Sequence, residues 1–202
     1  RDIDKDMAKE VERRLNDFKD LMDNTVSPTT LNDPTVKRRT VGKGPLSKEQ
    51  AELLGAVGPT LRGSGVPIDV RQTGYAAYKE TGFEPVVETA GDCYARMIVR
   101  LREIYQSREL ILRALSLMPE EEISVKVTGN PEGEAIHRAE QPRGEVIYYI
   151  KGKGTRNLDR MRIRTPTFAN TPPLLVMLPG CEMADVPVIT LSIDPCIACT
   201  ER

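Results

Sequence analysis

The stretch from Asp92 to Pro119, DCYARMIVRLREIYQSRELILRALSLMP, constrains the fold more than any other. Tyr94, Ile98, Leu101, Ile104, Ile111 and Leu115 keep helical spacing along it. Asp92 stands where a carboxylate can accept from the first unpaired amides, and Pro119 ends the pattern because its ring excludes the preceding turn. A helix of roughly 26 residues is longer than average, and its stability depends on packing by other elements. The spacing therefore predicts a helix running through the core of a bundle.

The flanking segments suit a mainly α chain of α+β type, with a helical bundle core and a small β element. Ile3, Met7, Val11, Leu15, Phe18 and Leu21 recur at intervals of three and four, which predicts one helix with a buried stripe. SPTTLNDPTVKRRTVGKGP, residues 27–45, reads as a loop rich in proline and threonine. Ser47 with Gln50 three residues on is a capping box that opens a short helix through Gly55. VGPTLRGSGVPIDVRQTGY, residues 57–75, mixes glycine, proline and charge and is expected to be irregular, the kind of segment that lines sites. Between Glu122 and Thr165 the pieces ISVKVT, EVIYYIKG and MRIRT favour strands. The final third is apolar and broken by prolines, suited to short buried helices that bring the chain end inward. Residues 1–202 are read as a single domain.

Charge and composition exclude several classes. Thirty acidic residues against 29 basic ones give a net charge of -1, which offers no attraction to nucleic acid. Aromatic residues make up 4% and tryptophan is absent, so base stacking has little to build on. Four cysteines are too few for a disulfide scaffold and nothing resembles a signal peptide, which fits a reducing cytoplasm. The apolar runs Pro172–Leu178 and Val186–Ile193 are too short to span a bilayer, so a partner would hold the chain at any membrane. The first residue is Arg rather than Met and leads straight into a helical pattern, which reads as the later portion of something longer.

The chain closes on SIDPCIACTER, with Cys196 and Cys199 three residues apart. Such a pair can be a redox dithiol, half of a zinc site or two thiolates on a redox metal. On one helical turn, positions i and i+3 lie about 5–6 Å apart at Cβ, near enough to share a metal, but this spacing does not name it. Zinc would need two further close ligands, and Cys93, Cys181 and His137 are isolated. A thioredoxin-like dithiol normally opens a helix early in a βαβ unit, whereas this pair ends the chain.

The whole ending D-P-C-x-x-C-T-x-R resembles the carboxy-terminal motif of NiFe hydrogenase large subunits, in the energy-converting, membrane-associated branch that ends in Arg. EQPRGEV around Arg143 and TPTFAN around Thr167 resemble two further segments of that family. LRGSGVPIDVR and GDCYARMIVRLREIYQS also resemble the related quinone-module subunit of respiratory complex I. The resemblance runs along the whole chain.

It implies a hydrogenase that interconverts protons and H2. Cys196 would be a terminal Ni ligand, and Cys199 would bridge Ni to an Fe carrying CO and cyanide. Two further Cys ligands are expected outside this sequence, in an amino-terminal region. Ending at Arg202 would follow removal of a tail by an endopeptidase. Arg143 would hang its guanidinium over the site with Asp194 as its carboxylate, Pro142 would help shape that canopy, and Thr167 would offer its hydroxyl to a cyanide. Without the resemblance Arg143 reads as a surface residue in a P-R-G turn, Asp194 as a cap and Thr167 as a turn residue. Implied partners are a small subunit holding an iron-sulfur cluster, ferredoxin and membrane ion-translocating subunits, placing the chain on the inner face of the membrane. Residues 62–71 are where a small-subunit contact is expected. Glu140 and Glu145, flanking Arg143, are candidates for a proton route. The competing function is a complex-I-like quinone or ion-coupling module without a Ni-Fe centre, a group that lacks the terminal cysteine pair.

Overall fold

The structure, a computed structural model, describes residues 3–119 and 122–201. Arg1 and Arg202, on which the expectations about the two chain ends rest, lie outside the described residues. The fold is mainly helical with one small antiparallel sheet. Helix α1 spans Lys5–Leu21 and runs through a π-helical turn, Met22–Val26, into α2, Ser27–Leu31. The short helices α3 (Pro34–Thr40), α4 (Lys48–Leu53), α5 (Gly58–Arg62) and α6 (Tyr78–Thr81) lead to the long helix α7, Cys93–Leu117. Three strands follow: β1 (Glu132–Gln141), β2 (Gly144–Lys153) and β3 (Arg160–Arg164), in spatial order β1-β2-β3. Four short helices close the chain: α8 (Pro166–Asn170), α9 (Leu174–Met177), α10 (Val186–Ser192) and α11 (Ile197–Thr200).

The apolar core sits where the start of α7 meets α4, α5 and the carboxy-terminal helices. Leu46, Ala51, Leu61, Val66, Cys93, Met177, Ile189 and Ile193 are buried together. Asp92 caps α7 by accepting from the Ala95 amide at 2.7 Å. One turn on, Arg96 is fully buried and acts as a staple, donating to the Gly91 and Gly44 carbonyls and to the Ser192 hydroxyl. Burial lowers its pKa from the ordinary arginine value, and three oxygen acceptors from three segments offset the desolvation of its charge.

Several expectations need correction. Helix α7 runs through the core only with its first half: Cys93, Ala95, Arg96, Val99 and Glu103 are buried, while Ile111 and Leu117 are 42% and 56% exposed. Helix α1 has no buried residue, because α7 is its main tertiary neighbour and one helix covers little of a wide stripe. The expected loop at residues 27–45 contains α2 and α3. Pro28 and Pro34 occupy first-turn positions, where the missing N–H is no loss, and Asp33 caps α3 through the Thr35 and Val36 amides. Residues 57–75 are irregular only in part, holding α5 and a 3₁₀ turn at Val70–Thr73. Ile123–Thr128, expected to be a strand, pairs with nothing among the described residues, and Val125 and Val127 are 80% and 88% exposed. The strand opposite β2 is instead the glutamate-rich Glu132–Gln141, because a two-residue turn fixes the register and overrides intrinsic propensity.

Candidate functional site

Contacts between distant segments bring the chain end to the tip of the β1–β2 hairpin. Gln141 pairs with Gly144, so Pro142 and Arg143 alone form the loop. This tip is seated on α5 by two glycines. A Cβ on Gly58, whose φ is +63°, would lie 2.4 Å from the Gly144 Cα, and one on Gly144 would lie 2.8 Å from Val57. Asn170, fully buried at the end of α8, accepts from the Val57 amide at 2.9 Å and donates to the carbonyls of Val57 and Arg143 at 3.2 and 3.4 Å. The hairpin tip, α5 and α8 are thereby locked together.

From the other side, α10 buries Ile189 and Ile193, so Asp194 emerges straight from the core. Asp194 has φ +55° and donates its amide to the Leu191 carbonyl at 2.9 Å, closing α10 with a left-handed residue. The expected D-P cap thus ends a helix rather than starting one. A non-glycine residue in this conformation costs on the order of 1 kcal/mol or more. Arg143 helps hold it: Nε donates to the Asp194 carbonyl at 3.0 Å and lies 3.3 Å from Oδ2 of its carboxylate.

Helix α11 packs on α8. The Cys196 amide donates to the Thr167 hydroxyl oxygen at 3.2 Å, and the Thr165 hydroxyl donates to the Cys199 carbonyl. The structure therefore brings Arg143, Thr167, Asp194, Cys196 and Cys199 into one contiguous group, with exposed Pro142 beside it at the hairpin tip. Both cysteines are free and half-buried.

The two sulfurs are electrostatically unequal. The Cys199 amide, then the Cys199 thiol, lower the Cys196 pKa, and the Arg143 charge adds to this. Burial, then the neighbouring Cys196 sulfur, raise the Cys199 pKa, while the Thr167 hydroxyl partly opposes this. Cys196 is thus the thiolate-prone member and Cys199 the protonated one. Soft sulfurs one turn apart fit half of a four-thiolate donor set. Among the described residues, no group of three or more Cys, His, Asp or Glu gathers into a metal site.

Other candidates fall outside this group. Cys93 is buried in the core and Cys181 is half-buried against it. His137 stands on exposed β1, edge-on to Tyr75 at 5.9 Å. Glu145 is taken up by Arg138 and Arg164, at 2.6 and 2.7 Å. The charges of residues 62–71 face inward, while Ile68 in the same segment is 55% exposed. Arg62, 0% exposed, bridges Asp69, Glu103 and Glu140 at 2.8, 2.7 and 2.9 Å. Arg71 reaches Asp69 at 2.7 Å and lies over the Phe83 ring at 4.2 Å. Sequence reasoning missed Asn170 and Thr165. A P-R-G turn hints at a close backbone approach, but pairing between distant segments leaves no local signal.

A family described as the 49 Kd subunit of the respiratory-chain NADH dehydrogenase matches residues 1–130 and 124–202. The chain belongs to that family. Among its relatives, a carbon monoxide-induced hydrogenase of Rhodospirillum rubrum is 39% identical over 203 residues, covering 100% of this chain and 56% of the relative. The alpha subunit of the membrane-bound hydrogenase of Pyrococcus furiosus is 38% identical over 192 residues, 85% of this chain and 44% of its own. An NADH-quinone oxidoreductase component of Herpetosiphon aurantiacus is 37% identical over 172 residues, 81% of this chain and 46% of its own. The chain spans about half the length of these members of the 49 Kd family. No helix among the described residues is long and apolar enough to cross a membrane.

Proposed function

We propose that the chain is the carboxy-terminal catalytic portion of an energy-converting NiFe hydrogenase large subunit, interconverting protons and H2. The observation that carries this reading is the meeting of a terminal cysteine pair with Arg143 and Asp194 at the hairpin tip. Similarity to two relatives named as hydrogenases supports it.

In this reading Cys196 and Cys199 would hold a Ni-Fe centre with CO and cyanide ligands, two more cysteines coming from outside this sequence. The bound group would supply a Lewis acid toward H2. The chain's own residues do the positioning. Thr167 accepts from the Cys196 amide and faces the Cys199 sulfur, so one hydroxyl orients both ligands. Arg143 meets Asp194 through Nε, leaving its Nη nitrogens as preorganised donors for substrate or a diatomic ligand. The raised pKa of Cys199 suits it to hold a proton at Sγ until a metal displaces it. Electrons would pass through an iron-sulfur small subunit, to or from ferredoxin. Membrane ion-translocating subunits would hold the assembly peripherally on the cytoplasmic face.

A second reading, a complex-I-like quinone or ion-coupling module without a Ni-Fe centre, draws on the relatives named as NADH-quinone oxidoreductase components. Infrared spectroscopy with elemental analysis of the intact complex separates the two. Ni and Fe with CO and cyanide stretching bands support the hydrogenase; zinc alone, or neither metal, defeats it.

A further inference from the structure

A cavity of about 500 Å³ opens beside the site, and its wall carries Pro142 and Asp194 together with Arg100, Glu103 and Glu140. From the geometry we infer that this cavity is a hydrated proton route whose inner terminus is the Glu140 carboxylate. The inference rests on the hydrogenase reading, in which each turnover releases or consumes protons at the cysteine site.

Two independent features support it. The first is Arg100. Its Nη1 donates to the Arg96 carbonyl at 3.1 Å, but Nε and Nη2 are sealed from bulk solvent and have no acceptor among the described residues. Buried donors of this kind are satisfied by ordered water. Arg100 thus calls for water in the wall that the cavity shares with Asp194 and Glu103. Burial lowers the Arg100 pKa to about 10, with Asp194 the foremost charge in opposition, so the guanidinium stays charged at neutral pH.

The second is the placement of Glu140. Glu140 faces one buried cluster, Arg62 from α5, Asp69 and Arg71 around the 3₁₀ turn, and Glu103 from α7, and the charge of part-exposed Arg138 on β1 also reaches it. The Val70 amide donates to Glu140 Oε2 at 3.3 Å, and the Tyr75 hydroxyl accepts from the Glu140 amide at 2.9 Å. Glu140 thus stands where the cavity wall meets a closely packed set of buried ionised groups, and it can take a proton from the cavity side. Burial raises the Glu140 pKa above the ordinary carboxylate value, while Arg62 opposes that shift. The step is a proton transfer alone: cavity water hands H⁺ to a Glu140 carboxylate oxygen, the carboxylate becomes a carboxylic acid, and the reverse transfer returns the proton. No electron moves.

The test compares wild-type intact complex with Glu140→Gln and Glu140→Asp by infrared difference spectroscopy in H2O and D2O, alongside H2 turnover and metal content. A carboxylic-acid C=O band that shifts in D2O is expected in wild type, absent in Glu140→Gln and restored in Glu140→Asp. Turnover should fall about 100-fold in Glu140→Gln at unchanged Ni and Fe, with partial recovery in Glu140→Asp. A band that is missing in wild type or persists in Glu140→Gln would overturn the inference. So would unchanged turnover and solvent isotope effect in Glu140→Gln. A complex lacking Ni and Fe would fail at the metal assay, defeating the hydrogenase reading and the inference with it, and so is distinguishable from a failure at Glu140 itself.

Discussion

Two arginines from the same kind of Gly/Pro-punctuated segment do opposite things. Arg62 is sealed, 0% exposed, and touches three carboxylates drawn from three parts of the chain. Arg143 sits at a hairpin tip with its side chain 36% exposed and, among the described residues, pairs with one carboxylate, itself 38% exposed. A guanidinium buried among three carboxylates has little capacity left for a ligand; a half-exposed one held through Nε has donors to spare. The contrast teaches where chemistry can happen: buried charge fixes the scaffold, and the site is carried on its rim.

The largest effect that can break this contrast is removal of the sealed arginine. Arg62→Met leaves three carboxylates without their shared cation, and chemical denaturation should show a loss of roughly 3–5 kcal/mol. Arg143→Met should cost less than about 1 kcal/mol in the same assay, because a part-exposed pair is screened by solvent. An equal loss at both positions would erase the distinction. In the intact complex, Arg143→Lys should leave Ni and Fe in place while lowering turnover by about 100-fold or more, since a lysine lacks the planar fork of preorganised donors. An unchanged rate would remove Arg143 from the machinery.

Smaller effects sharpen the seating of the tip. Gly58→Ala forces a Cβ to within 2.4 Å of the Gly144 backbone, and overpacking of this kind costs about 1–3 kcal/mol. Its turnover should fall with the displaced hairpin, whereas Gly42→Ala, with no heavy atom within 4 Å of the added Cβ, should leave turnover unchanged. The smallest effect is a titration. In metal-free protein, alkylation should favour Cys196 over Cys199, with half-maximal reactivity below the ordinary thiol value of 9.0 because the thiolate is the favoured form. Arg143→Met removes one stabilising charge and should move that midpoint upward. A midpoint that does not move would separate Arg143 electrostatically from the sulfurs.

Much of the fold was legible because periodicity and capping are local. The α7 spacing with Asp92 and the Ser47–Gln50 box each specified an element that the structure contains. The errors arose where a distant partner decided the outcome. Ile123–Thr128 has strand propensity but no partner among the described residues, whereas Glu132–Gln141 has poor propensity and a partner imposed by the Pro142–Arg143 turn. The prolines at 28 and 34 looked like breakers until their place in the first helical turn was known. Of the site, the residue types were visible in the terminal motif, and their convergence was not. Gly58 against Gly144, Asn170 spanning three segments and Ile193 anchoring Asp194 are all long-range packing facts.

The account stands most directly on the nickel that Cys196 and Cys199 are assigned to hold. Nickel stoichiometry, with sulfur coordination from X-ray absorption, should be measured on the intact complex and on Cys196→Ser and Cys199→Ser separately. The account predicts sulfur-ligated nickel in the wild type and its loss or disruption in each variant. Nickel absent from the wild type, or bound unchanged in both variants, would contradict it.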